Sequence, residues 1–282
     1  MAAAAFLLST IQARAITVDG TLDAGYGSAL AIQGNPTGFG DSTVGDGTSG
    51  GGSELDAGYG TISGGNLYLF LAGNHESNGN HVNVFISGGA AGQSTLAVPT
   101  TATMQQMNGS KFSPGFQATF ALDVNDFTGT NYVEEYTLTG VPAGGFVGSI
   151  PLSGGIGTGT PGVSTIGDNN KNAGGITGSS ATSAQALSVG TGLELQIPLA
   201  SIGWTGGSIS VLADVNGGGD SFLSNQFLPG LPSGTGNLGN SGRFDFSGTA
   251  GQFFTVAVPE PSSIGLVVVG LLGALTIRRR KA

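Results

Sequence analysis

The chain contains no cysteine, which excludes disulfides and cysteine-based metal or redox centres. It holds two histidines and one tryptophan, and only 9% of its residues are charged. Basic residues are the scarcest. Between residues 16 and 258 only Lys111, Lys171 and Arg243 are basic, against sixteen acids, which are all of the chain's 17 except Glu260. Such a surface repels phosphate backbones and excludes nucleic acid as a partner. Long apolar runs are missing too, apart from one at the C-terminal end, and no segment before it spaces its apolar residues with a helical period. A chain of 282 residues does not need disulfides, because a domain of that size buries enough core unaided.

Glycine is what the chain has in excess, with 54 residues. The apolar residues, 39% of the total, arrive in short bursts between Gly, Asn, Ser and Thr clusters. Gly and Asn tolerate the positive φ of tight turns, so this texture predicts many short strands joined by turns. Strands are expected at 67–72, 82–87, 116–122, 132–138, 193–197, 209–213 and 253–256. The fold class that follows is all-β: a single antiparallel β-sandwich over 16–257 with long Gly-rich loops at 38–53 and 154–183. One hexapeptide occurs twice, as Leu22-Asp-Ala-Gly-Tyr-Gly27 and Leu55-Asp-Ala-Gly-Tyr-Gly60. Two copies are too few for a solenoid, so we expect two equivalent strand-entry turns with Tyr26 and Tyr59 as packing anchors.

The two ends read differently from the body. Residues 1–15 have the form of a signal peptide, with an apolar stretch at 2–8 and the small-x-small site Ala13-Arg14-Ala15. A basic n-region is missing from it, as it would be if the true start lay upstream. Residues 258–282 contain Pro259, Glu260 and Pro261, an apolar run at 264–277, and then Arg278, Arg279, Arg280 and Lys281. A helix over that run rises about 21 Å against a hydrocarbon core of about 30 Å, a gap that flanking residues and snorkelling Arg stems bridge. Length alone would fit a buried core helix. Four cations directly after a wholly apolar run favour a C-terminal transmembrane helix instead, with the cations cytoplasmic and the body on the far side.

This ordered triplet of Pro-Glu-Pro motif, short apolar helix and Arg cluster resembles the PEP-CTERM sorting domain. The resemblance implies that an exosortase, a membrane cysteine protease-transpeptidase, is a partner and processes the chain at Pro259 to Pro261. It further implies a Gram-negative-type bacterium that makes extracellular polysaccharide. The protein is then expected to be anchored transiently in the inner membrane and to end at the cell surface or in the extracellular matrix. The body resembles a second family, the carbohydrate-binding module family 9-like sandwiches. That resemblance rests on Ile16-Thr-Val-Asp-Gly-Thr-Leu-Asp23, Gly65-Asn-Leu-Tyr-Leu-Phe-Leu-Ala-Gly73, His81-Val-Asn-Val-Phe-Ile86 and Gly192-Leu-Glu-Leu-Gln-Ile-Pro-Leu-Ala-Ser-Ile-Gly203. It implies a sandwich and a sugar held by stacked aromatics. Trp204 is the candidate platform, its other reading being a core residue.

Several motifs bear on chemistry. Gly47-Thr-Ser-Gly-Gly51 and Gly157-Thr-Gly-Thr-Pro-Gly162 satisfy nucleophile-elbow and dinucleotide patterns, but neither has the helix that gives such patterns meaning. His75, Glu76 and His81 lie close together in sequence, as either a metal-binding hairpin loop or a solvated hairpin tip. In Asp214-Val-Asn-Gly-Gly-Gly-Asp220, the oxygens of Asp214, Asn216 and Asp220 suit Ca²⁺ as a structural staple. A β-turn with Asp capping is the other reading, favoured by the related Asp123-Val-Asn-Asp126 at the end of another strand. No residue stands out as a nucleophile. The expected function is an exported, exosortase-processed surface or matrix protein, associated with exopolysaccharide and non-catalytic. The alternatives are a secreted glycan-binding module with a defined sugar site and a secreted hydrolase.

Overall fold

Val82, Val84 and Ile86 turn one way from their strand, into the core between two sheets, while Phe85 turns the other way into a second core. That alternation is what a pleated strand imposes on a run of this composition. A computed structural model describes residues 15–39, 52–74, 78–151, 155–158, 165–170, 174–239 and 242–258. Residues 1–14 of the expected signal peptide, His75, Glu76, both glycine motifs in whole or part, and the tail from 259 lie outside the described residues. Among those residues no helix is long and apolar enough to cross a membrane.

The strands in chain order are β1 (Ala31–Ile32), β2 (Glu54–Ser63), β3 (Asn66–Asn74), β4 (Asn78–Ser87), β5 (Phe120–Phe127), β6 (Thr130–Thr137) and β7 (Ala143–Pro151). They continue with β8 (Gly155–Thr158), β9 (Thr165–Asp168), β10 (Gly192–Pro198), β11 (Ile209–Asn216), β12 (Leu223–Leu228) and β13 (Phe254–Val256). One helical turn, α1 (Ser183–Ala186), opens with a capping box between Thr182 and Gln185. A six-stranded sheet runs β1-β2-β3-β10-β9-β8. A seven-stranded sheet runs β12-β11-β4-β5-β6-β7, with β13 added on β11. All strand pairs in both are antiparallel. The fold is therefore the all-β antiparallel sandwich expected from the sequence.

Three apolar layers hold it. Leu67, Leu69 and Leu71 of β3 meet Val82, Val84 and Ile86 of β4 and Val211, Ala213 and Val215 of β11 between the sheets. Phe85, Phe112, Phe116, Phe227 and Phe244 form a second core on the outer face of the seven-stranded sheet. Tyr26, Tyr59 and Phe70 form a third, on the outer face of the six-stranded sheet.

All seven expected runs meet strands, although β5 begins only at Phe120 and Phe116 belongs to the outer cover. Two expectations are corrected. The repeated hexapeptides are not equivalent turns. Leu22–Gly27 does form turns, but Leu55–Gly60 lies inside β2. There Gly60 lets the sheets approach, since a Cβ on it would sit 2.5 Å from Val256 Cγ2. The tyrosines do act as anchors: Tyr26 and Tyr59 both pack on Phe70, with ring centroids 6.0 and 5.9 Å away. The segment 154–183 is not all loop either. Its residues Gly155–Thr158 and Thr165–Asp168 pair with each other, and the second of them with β10. Backbone pairing with a neighbouring strand overrides the poor strand propensity of their glycines.

Candidate functional site

β4 lies between β5 and β11, so its outward residues are flanked on both sides. Asn83 stands opposite Asp123 of β5 and Asp214 of β11, and His81 stands opposite Asn125 and Asn216. Side chains directly opposite one another on one face lie about 4.5–5.5 Å apart at Cβ, so the register gathers two carboxylates around one amide. A third carboxylate comes from the turn that follows β11. Asp220 has a φ of 52°, after Gly219 at 65°. An Asp in this left-handed region is uncommon, and such a residue persists where its surroundings over-determine it.

The resulting cluster is closed. His81, Asn83, Asp214 and Asp220 are fully buried and Asp123 is 1% exposed. His81 Nδ1 lies 2.8 Å from Asp123 Oδ1 and 3.5 Å from Asp220 Oδ2. The Gly219 N–H donates to His81 Nε2 at 3.2 Å, which places the ring proton on Nδ1, donating to Asp123. The Asn83 amide donates to Asp220 Oδ1 at 2.7 Å and to Asp214 Oδ1 at 3.3 Å. This leaves Asn83 Oδ1, Asp123 Oδ2, Asp214 Oδ2 and Asp220 Oδ2 buried without a hydrogen-bond partner. Buried polar atoms are ordinarily satisfied, so four orphaned oxygens in one cluster call for an explanation.

The electrostatics point the same way. Burial lifts the Asp214 carboxyl well above its ordinary range, and repulsion from Asp220 adds to it. Burial and then Asp123 lift Asp220 to about 7. Asp123 is raised by burial against the attraction of His81. Burial pushes His81 down, but Asp123, with Asp220 and Glu134 adding to it, more than offsets this and brings it to about 9. Full protonation of the ring would cost the Gly219 bond. Three carboxylates and one imidazole thus compete for protons in a site that excludes water.

Of the residues expected to bind calcium, Asp214 and Asp220 come together here. Asn216 belongs to the next row of the sheet, where its amide donates to the Gly242 carbonyl at 3.4 Å. His81 is no hairpin tip, because it lies within β4 and is fully buried. Nothing local in the sequence joins His81, Asp123 and Asn83 to Asp214. The spacing His-x-Asn on a strand was visible, but only the register links it to the carboxylates of β5 and β11. Trp204 is partly buried, packs against the inter-sheet core, and donates its indole N–H to the Gly207 carbonyl at 3.0 Å. Exposed aromatics lie elsewhere: Phe127 of β5, Tyr132 of β6 and Phe146 of β7 are 54%, 41% and 62% exposed. The Tyr132 and Phe146 rings lie 6.5 Å apart at the free end of the seven-stranded sheet.

The tail supplies the remaining functional feature. Residues 257–281 match the PEP-CTERM protein-sorting motif. The tail is a PEP-CTERM sorting motif. This motif marks the chain as an exosortase-targeted protein, exported to the cell surface or the extracellular space of a Gram-negative bacterium. It contains Pro259, Glu260, Pro261 and the cations Arg278, Arg279, Arg280 and Lys281, as expected from the sequence. The match is confined to the tail, and no curated protein and no solved structure matches the chain.

Proposed function

We propose that the mature protein is a non-catalytic component of the cell surface or extracellular matrix that binds the cell's own exopolysaccharide. The sorting motif carries this reading, because it delivers the body to the compartment where such polymer lies. The transient inner-membrane anchor belongs to the same proposal, as the tail's apolar run holds the body until exosortase acts. Tyr132 and Phe146 supply the contact. They are exposed, within stacking distance of each other, and free to lay apolar ring faces against a polymer. The one His-carboxylate cluster among the described residues is sealed from solvent, which speaks against hydrolysis there.

Affinity electrophoresis of the surface-extracted protein through gels containing the host exopolysaccharide tests the proposal. Retardation is expected, at least tenfold weaker in a Tyr132→Ala, Phe146→Ala double variant. In Trp204→Ala, retardation should persist in the fraction that folds. Unretarded migration of the wild type overturns the reading, and depolymerisation of the gel polymer would replace it with the hydrolase.

A further inference from the structure

We infer that His81, Asp123 and Asp220, with Asp214 held beside them by Asn83, form a closed structural site for a divalent transition-metal cation, Zn²⁺ first among them. Three observations converge on this. The first is the donor set. An imidazole nitrogen among carboxylate oxygens suits zinc, whereas Ca²⁺ takes six to eight ligands that are all oxygen. The second is spacing. Tetrahedral zinc with arms of about 2.0 Å sets neighbouring ligand atoms about 3.3 Å apart. His81 Nδ1 lies 2.8 Å from Asp123 Oδ1 and 3.5 Å from Asp220 Oδ2, and ligand atoms of these three residues all fall within 4.8 Å of one another. The third observation is the set of orphaned oxygens. Asp123, Asp214 and Asp220 each bury one carboxylate oxygen that accepts no hydrogen bond, and all three residues are at least 99% buried. Carboxylates crowded out of water need a counter-charge beyond the one His81 can supply.

Asn83 serves the site as its organiser. Its amide holds one oxygen of Asp214 and one of Asp220, leaving the other oxygen of Asp220 for the cation and the Asp214 charge beside it. A metal on His81 Nδ1 displaces the proton from that nitrogen, and the neutral ring then carries its proton on Nε2. The Gly219 amide that now donates to Nε2 must turn away. It belongs to three consecutive glycines, 217–219, whose backbone adopts other conformations at little steric cost. The ion would tie β4, β5 and the Gly218–Asp220 turn into one unit.

The test uses the full-length chain in detergent, stripped with chelator, exposed to ZnCl₂ and desalted before elemental analysis. One zinc per chain is expected, together with a rise in melting temperature. With CoCl₂, the intense visible bands of tetrahedral Co²⁺ should appear. His81→Gln and Asp220→Asn should each weaken retention at least tenfold while keeping the strand-type circular dichroism spectrum. If a variant fails to fold, the wild-type cobalt spectrum decides by itself. No zinc on the folded wild type, a weak octahedral cobalt spectrum, or zinc retained equally by both folded variants would overturn the site. So would a Ca²⁺-dependent rise in melting temperature that zinc does not produce.

Discussion

The hydroxyl of Tyr26 donates to Glu194 Oε1 at 2.8 Å, joining residues 168 positions apart in the chain. Glu194 Oε2 also accepts from the Asp19 and Gly20 amides, so this one carboxylate of β10 holds the N-terminal segment against the six-stranded sheet. Tyr26→Phe keeps the ring on Phe70 and removes the hydroxyl. It should cost about 1–3 kcal/mol, as expected when a buried charged acceptor loses a donor. Denaturant titration measures this, and an unchanged midpoint would show that the bond contributes nothing.

Asp56 predicts a pH dependence. Its Oδ1 accepts from the Ile176 amide at 2.8 Å, yet burial raises its pKa to about 7. The folded state therefore holds this proton more tightly than the unfolded one. The contribution to stability is complete below about pH 4 and is lost as pH rises through about 7. In chelator, wild-type stability should fall between about pH 5 and pH 8, and the fall should be shallower in Asp56→Asn. Equal slopes would show that Asp56 is not the titrating group.

Asp214→Asn separates the two states of the buried cluster. Without metal the substitution removes a carboxylate that burial and Asp220 both disfavour, so the variant should melt higher than the wild type. In a domain of this size each kcal/mol moves the melting temperature by about 2–4 °C. With zinc the order should reverse, because the Asp214 charge beside the site strengthens the hold on a cation that binds only the folded state. Scanning calorimetry with chelator and with zinc reads both signs. A variant less stable than the wild type in chelator would mean that Asp214 is satisfied without an ion.

Gly144 controls the strand that carries Phe146. Its φ is 152°, and a Cβ there would sit 1.9 Å from the Glu135 carbonyl oxygen across the β6–β7 pairing. Gly144→Ala should detach the start of β7, lower stability by about 1–3 kcal/mol and weaken polymer retention together with it. Hydrogen exchange should show loss of protection confined first to β6 and β7. Protection unchanged at both strands would contradict this account of Gly144.

The sandwich could be read from the sequence because apolar runs such as Leu67–Ala72 alternate with glycine turns, and that pattern needs no tertiary information. β2 stayed hidden since Asp56, Gly58 and Gly60 look like turn residues. They are tolerated in a strand because Gly60 leaves room for Val256 and Asp56 finds the Ile176 amide. β8 and β9 were hidden for the same reason, their glycines being held by pairing rather than by side chains. In the buried cluster, Asp214 and Asp220 were legible as a local spacing. His81 and Asp123 were not, because they come from strands whose register is set by the core on the opposite face. The exposed pair of Tyr132 and Phe146 was equally out of reach, since alternation puts both on a sheet face whose cover stops short of them.

The sorting tail carries the largest part of the functional account, and the mass of the mature protein tests it most directly. Intact-mass spectrometry of protein extracted from the cell surface should give a chain that ends at or near Pro259 to Pro261, plus whatever group the transpeptidase adds. Such a chain lacks Arg278, Arg279, Arg280 and Lys281. A surface form whose mass still includes those four residues would contradict exosortase processing, and with it the delivery on which the proposed polymer binding rests.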